Sequence, residues 1–233
     1  MDICRGAPAT YAGPARYSLL KEKAIKTLFF FTAIFAVIVV TFILLFLLRD
    51  GYPIFVQAGP LSFLFGPDWA PTAVDPLYGI FPLIVGTLLV TLGAMVFAVP
   101  LAICCAIYIA ELASPRLKNI LKPAIELLAG IPSVVYGFFG LIVLTNFIRS
   151  AFDLPTGETW LAASVLLGIM ALPTIVSVSE DAISSVPHEY REGSLAIGAT
   201  RWQTISRVIV PAALSGIAAA IILGIGRAVG ETM

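Results

Sequence analysis

Hydrophobic and polar positions alternate along this chain in blocks far longer than a helical turn: five apolar runs near membrane length are parted by shorter polar stretches. A spanning helix needs ~20 predominantly apolar residues. Thr27 to Leu48, TLFFFTAIFAVIVVTFILLFLL, meets this without a charge. The uncharged run from Ile80 to Ala110 is longer than one crossing requires and short for two with a turn. With Pro100 near its middle, it predicts one kinked crossing that extends beyond the lipid core. Gly130 to Phe147, Trp160 to Val178 and Val208 to Val229 complete the set, each bounded by charged or Pro/Gly-containing loops. The expectation is an all-α membrane protein, a polytopic helical bundle of about five spans. Its segments are a polar tail (1–26), a first transmembrane anchor (27–48), a loop (49–79) and a core (80–233) that contains a polar loop at 179–207. The first run is read as a retained anchor, because a mostly polar stretch precedes it and it is longer than the apolar part of a signal peptide.

Loop charges orient the bundle. The tail holds Arg5, Arg16, Lys21, Lys23 and Lys26 against Asp2 and Glu22, and the loop after the second run holds Arg116, Lys118 and Lys122. By the positive-inside rule both face the cytoplasm, the N-terminus included. Arg49 to Gly79 sets Arg49 against Asp50, Asp68 and Asp75, and the loop around Asp153 and Glu158 has only Arg149, so both belong outside. Counting the second run as one crossing makes every loop agree and puts 179–207 in the cytoplasm. Composition strengthens the membrane reading: 59% of the 233 residues are hydrophobic and 12% charged, whereas ordinary soluble domains are ~25% charged. Mean hydropathy is +1.00. The 14 basic and 14 acidic residues cancel, which leaves no nucleic-acid footprint and no acidic tail.

Enzymatic chemistry finds little purchase. There is no G-x-x-x-x-G-K-[ST] phosphate loop and no Gly-Lys dipeptide, so any energy source is expected on a partner. The single His188 builds no His-ligated metal cluster, and neither a zinc helix nor a nucleophile elbow is present. Cys4, Cys104 and Cys105 have no metal-type spacing, and the adjacent pair inside an apolar run reads as buried structural thiols.

The charges that stand out in apolar context are Arg227 and Glu231, spaced i, i+4 in GIGRAVGETM and so on one helix face. Charge at bilayer depth costs ~2.5–3.5 kcal/mol per residue even on the lenient scale and usually faces a bundle interior or a pathway. Two readings stay open: an anion-facing guanidinium held by a carboxylate, and a structural ion pair near the outer interface. Gly226 and Gly230 form a G-x-x-x-G that reads as helix packing. AGIPSVVYGFFG, residues 129–140, suggests either a helix entering the membrane through a break, with Ser133 and Tyr136 as polar groups, or a kinked structural helix.

Between two long apolar runs lies EYREGSLAIGATRWQTISRVIVPAA, residues 189–213. A short surface helix starting after Pro187 is expected, with Leu195 and Ile197 beside small residues and Glu189, Arg191 and Glu192 as solvent-facing charge. A small-residue face suits close seating of another protein.

Residues 192–211, EGSLAIGATRWQTISRVIVP, resemble the cytoplasmic "EAA" signature of ABC-importer permeases: E-A-A, three residues, G, nine residues, I-x-L-P. Glu192, Gly198 and Pro211 fall on its positions. Gly193 and Ser194 replace the alanines, and Val208 and Val210 replace Ile and Leu. DWAPTAVDPLYGIFPLIVGTLLVT, IELLAGIPSVVYGFFG and GIGRAVGETM further resemble the PstC-type phosphate-importer permease subunit, the likeness running from about residue 60 to the end. The resemblance implies a helical bundle of the MetI-like, type I kind, with six spans in the family. The G-E-T-M block at Met233 then looks like the point before a missing sixth span.

It also implies partners: a second permease (PstA type), two copies of an ATPase (PstB type), an extracytoplasmic phosphate-binding protein (PstS type), phosphate itself and the lipid bilayer, with no nucleic acid. ATP and Mg would sit on the ATPases, with no cofactor on this chain. Residues from about Val186 to Ala199 become the coupling helix, with Glu192, Gly193, Ser194, Ala196, Gly198, Ala199 and Pro211 expected at the ATPase joint. Arg227, Glu231, Ser133 and Tyr136 are expected along the translocation path. The competing readings are a permease for another oxyanion, a secondary transporter or channel without an ATPase, and a non-transporting membrane scaffold or sensor. A secondary transporter would place ion-coupling carboxylates in several spans, and the apolar runs offer only Glu231.

Overall fold

A computed structural model describes residues 16–232, with side chains from Lys21 onward. Cys4 and the tail charges Asp2 and Arg5 lie outside the described residues. The chain divides into two compact units, Met1–Gly79 and Ile80–Met233.

In the first unit, α1 runs Arg16–Ala58. At 1.5 Å per residue its 43 residues extend ~65 Å, about twice the ~30 Å hydrocarbon layer. The uncharged run Thr27 to Leu48 alone fills that layer, and the helix continues past it through Arg49, Asp50 and Pro53 instead of ending in a loop. Gly59, at φ 78°, turns the chain into the short α2, Pro60–Phe65. Two two-residue strands follow, β1 (Trp69–Ala70) and β2 (Leu77–Tyr78), antiparallel with Trp69 opposite Tyr78. The Trp69 and Tyr78 rings meet edge to face at 6.3 Å.

The second unit holds the core. Helix α3 (Phe81–Ile107) is a single element through Pro100, and it widens at its end into a π-helical turn, Tyr108–Leu112, closed by the Ala113 amide donating to the Tyr108 carbonyl at 2.8 Å. The polar stretch after it is a helix, not the loop expected: Ser114 caps α4 (Pro115–Ala129) by accepting from the Leu117 amide. Gly130 to Pro132 then break the chain. Pro132 precedes α5 (Ser133–Phe139), a π-helical turn (Gly140–Leu144) and α6 (Thr145–Ala151), so the AGIPS stretch is a true helix interruption. Thr159 caps α7 (Trp160–Ser184). The short α8 (His188–Ala196), α9 (Arg201–Thr204), a third π-helical turn (Ile205–Ile209) and α10 (Val210–Ala212) lead into α11 (Leu214–Glu231). Among the described residues five helical stretches are long and apolar enough to cross a membrane: Lys21–Ala58, Phe81–Leu112, Ser133–Ala151, Trp160–Ser184 and Leu214–Glu231.

Packing inverts the habit of soluble proteins. On α3 the buried positions are Thr91, Ala94, Ala98, Ala102 and Ala106, about one per turn, while Leu88, Leu92, Val96, Phe97 and Leu101 point outward. Lipid is as apolar as leucine, so large side chains gain nothing by turning inward, and small ones let backbones approach. Helix α7 takes the central place: Leu167, Ala171, Ile175, Val176 and Ile183 are buried against α3 and α11. Close approach to α11 rests on Gly216, where an added Cβ would lie 2.4 Å from Ala182 Cβ. Cys104 is exposed and Cys105 half-buried, which corrects the expectation of two buried thiols. Position 104 falls on the outward face, between the buried Ala102 and Ala106.

Candidate functional site

Polar groups of the second unit gather at two places, the α8–α9 elbow with the adjoining end of the bundle, and Arg227 on α11. The elbow is built by local chemistry. Pro187 presets the chain and α8 begins at His188, where a helix after the proline was expected. Gly198 sits at φ +87°, and around it the Gly198 amide donates to the Leu195 carbonyl (3.0 Å) and the Ala199 amide to the Ser194 carbonyl (3.2 Å). That pair of bonds closes the end of α8 in a left-handed turn that only glycine enters without strain. Thr200 and Gln203 then form a reciprocal capping box for α9. Ser194, on the second alanine position of the signature, is buried and shares a 3.0 Å hydrogen bond with the Thr204 hydroxyl, which ties α8 to α9. Its extra hydroxyl is therefore satisfied.

The outer face of the elbow is open. Glu192, Gly193, Leu195, Ala196, Ile197 and Gly198 are exposed, Ile197 to 87%, and Trp202 is exposed on α9. Ala199 is half-buried and Pro211 exposed. Arg191 departs from the expected solvent-facing trio: its guanidinium turns inward and pairs with Glu111 of the first π-helical turn. The sequence pattern places Arg191 among charges, and only the fold reveals the carboxylate 80 positions away.

A second cluster went unseen in the sequence because its members lie on different elements. Glu180, in the last turns of α7, is 2% exposed. It receives the Lys118 ammonium at 2.6 Å, the Lys122 ammonium at 2.7 Å and the Ser184 hydroxyl at 2.7 Å. Lys122 also reaches Asp181 at 2.6 Å. The hydrogen bonds to Asp181 and Glu180 hold Lys122 above the ordinary lysine range despite burial, which acts the other way. The spacing of Lys118 and Lys122, i and i+4, puts both on the α4 face that also carries Leu121 and Ile125. The cluster thus clamps α4 to α7. Replacing Lys118 and Lys122 together by Met leaves Glu180 buried without a counter-ion. Stranding a buried charge costs ~3–5 kcal/mol, reduced here to about 2–3 because each lysine is 34% exposed. A lower thermal unfolding midpoint in detergent is expected, recovering when Glu180→Met is added; an unchanged midpoint removes the clamp from the account.

At the other place, Arg227 is half-buried and its Nη1 donates to Thr174 Oγ1 at 3.0 Å. The bond joins α11 to α7 just after Pro173, where α7 lacks an amide donor. Among the described residues no carboxylate lies within ion-pair distance of Arg227, so the expected Arg227–Glu231 pairing is absent; Glu231 is exposed one turn on. Gly226 and Gly230 have open space where a Cβ would be, so among the described residues nothing packs closely against their G-x-x-x-G face. Ser133 is half-buried at the start of α5, and Tyr136 donates its hydroxyl to the Leu128 carbonyl at 3.0 Å. Neither hydrogen-bonds to Arg227 or Glu231. No group of three metal-ligating side chains occurs among the described residues.

With a helical bundle, a break before α5 and an exposed, glycine-closed elbow in place, the chain belongs to the family of binding-protein-dependent transport system inner membrane components, whose family model matches residues 98–233. The family is one of membrane transport components, not of enzymes. The chain is 48% identical over 193 residues to the probable ABC transporter permease protein YqgH of Bacillus subtilis (strain 168), covering 82% of this chain and 62% of that protein. Within the family the likeness is to PstC-type permeases. The phosphate transport system permease protein PstC of Pasteurella multocida is 33% identical over 222 residues, with 87% of this chain and 68% of that protein covered. PstC of Mesorhizobium japonicum is 34% identical over 218 residues, with 82% and 66% covered. The chain thus spans less than two thirds of the length of two of these three relatives. A solved structure of the MetNI methionine ABC transporter in inward-facing conformations matches with TM-score 0.50 at 24% identity, over 65% of this chain and 68% of that one, a likeness of fold alone.

Proposed function

We propose that this chain is the PstC-type permease subunit of an ATP-driven phosphate importer, lying in the membrane with its N-terminus and the α8–α9 elbow on the cytoplasmic side. It lines the translocation path with a PstA-type second permease and engages two PstB-type ATPases through the elbow, while a PstS-type binding protein delivers phosphate from outside. ATP and Mg belong to the ATPases. The observation that supports this most is α8 itself: a short helix tied to the bundle through Arg191, with an exposed face of small and apolar residues, closed by Gly198. Closure of the ATPases on ATP would displace that helix and rock the bundle between access states.

Arg227 suits the substrate side. Its guanidinium spends one donor on a neutral hydroxyl and has no carboxylate partner among the described residues, which leaves forked donors for an oxyanion. The test is radiolabelled phosphate uptake in a permease-deficient host that expresses this chain together with the ATPase, second permease and binding protein. ATP-dependent uptake that unlabelled phosphate suppresses and sulfate does not is the expected result. Suppression by sulfate would move the assignment to another oxyanion, and uptake without the ATPase would move it to a secondary transporter.

A further inference from the structure

Arg191 belongs to α8 by sequence, yet all of its bonding is directed into the bundle. Its Nε donates to Glu111 Oε1 and Oε2 at 3.0 and 3.3 Å, its Nη2 to Glu111 Oε1 and to the Ile183 carbonyl at 3.2 Å, and its Nη1 to the Val186 carbonyl at 2.6 Å. Glu111 closes the membrane helix α3, and Ile183 lies in the last turn of α7. One planar group therefore holds three elements at once. Among the described residues it supplies every side-chain hydrogen bond from α8 to α3 or α7; the other polar side chain of α8 with a partner, Ser194, bonds to α9. The Arg191 and Glu111 side chains are only 17% and 10% exposed, so salt screens their attraction weakly.

We propose that Arg191 and Glu111 form the transmission clip of the transporter: movement imposed on α8 is delivered to α3 and α7 through this guanidinium. Arg191 is then a positioning residue for transport, separate from the exposed face that meets the ATPase. This rests on the ATP-driven reading above. Two features favour it. First, only an arginine grips a carboxylate side-on while its remaining N–H groups reach two carbonyls; a lysine ammonium offers a single point. Second, what the clip holds leads to the substrate side. From Ile183 back to Thr174, α7 is ~14 Å of continuous helix, and Thr174 accepts the bond from Arg227. Coupling over such a span needs a rigid element whose position both ends bias, and α7 is buried along this length at Ile175, Val176, Ser179, Glu180 and Ile183.

The experiment uses the complete transport complex in proteoliposomes and reads phosphate transported per ATP hydrolysed. In Arg191→Met the ratio is expected to fall about tenfold while ATP hydrolysis persists, a size typical of coupling between sites. Arg191→Lys, which keeps the ion pair and loses the carbonyl bonds, should fall in between. Glu111→Gln should fall as well, and adding it to Arg191→Met should cost little more. A merely structural role lowers the amount of assembled complex, so transport and hydrolysis drop together and the ratio stays put; that result overturns the clip. Should Arg191→Met fail to assemble, Glu111→Gln and Arg191→Lys give the same reading, and unchanged ratios in both overturn it. If the unsubstituted complex moves no phosphate on ATP, the ATP-driven reading falls and the clip with it. If it does move phosphate and the variants match it, the clip alone falls.

Discussion

Arg227→Gln is expected to lower phosphate uptake about 10–100-fold while the complex still assembles, because a charged hydrogen bond to the ion is worth ~1.5–3 kcal/mol. The geometry explains why the loss should be specific. Arg227 is half-buried, and its one hydrogen-bond partner among the described residues is the Thr174 hydroxyl at 3.0 Å, which glutamine can still reach toward as a donor. Helix α11 does not rely on the charge for packing: Ile217, Ala220, Gly224 and Ala228 are its buried stripe. Arg227→Lys retains the charge and loses the fork, so uptake should be intermediate. Thr174→Val removes the acceptor and leaves the guanidinium, and should mainly loosen its aim, with a smaller loss than Arg227→Gln. Complex yield by co-purification and initial uptake rate against phosphate concentration separate these outcomes. Wild-type uptake by Arg227→Gln removes Arg227 from the path. Loss of assembly in step with uptake makes it a structural residue.

How much of this was legible beforehand depends on whether a feature is local. Span positions are local: each is a run of apolar residues, and Trp160, the start of α7, follows from the cap Thr159 and the run behind it. The break before Ser133 was announced by Gly130 and Pro132. The elbow is legible as a place, and its capping box, Thr200 with Gln203, stands in the sequence as T-x-x-Q. Hydropathy was silent on which face of a span turns inward, since alanine and leucine are both apolar; the alanine every fourth residue from Ala94 to Ala106 was the available signal. The charge partners were beyond reach. In the sequence Lys118 and Lys122 are simply loop charges that orient the bundle, and nothing in a list of residues says that Glu180 meets both while Glu111 meets Arg191. Arg227 and Glu231 show the opposite error. Spacing i, i+4 permits a pair, yet Arg227 turns to Thr174 on another helix instead.

The elbow offers the sharper separation of fold from function, through Gly193. Gly193→Trp is expected to lower phosphate uptake by at least about tenfold by a clash with the partner that seats on α8, while leaving this chain as stable as before. Gly193 is within α8 at ordinary helical geometry, exposed, and an added Cβ there meets no atom within 4 Å. Exchanging glycine for tryptophan inside a helix gains a few tenths of a kcal/mol of propensity, about 0.3–0.5. The fold has no reason to object, and any defect reports on what docks.

Gly198 cannot give this answer. At φ +87° a side chain is strained whatever the space around it, at a cost of ~1–2 kcal/mol, and the turn that ends α8 would shift. A defect in Gly198→Trp therefore mixes a damaged elbow with a blocked surface. Comparing the two by ATPase co-purification, detergent unfolding midpoint and uptake resolves the mixture: Gly193→Trp should lose ATPase binding or transport at an unchanged midpoint, and Gly198→Trp should lower the midpoint too. Normal uptake in Gly193→Trp would mean that the exposed face of α8 is not the docking surface. The Arg191 clip would then have no displaced helix to transmit from.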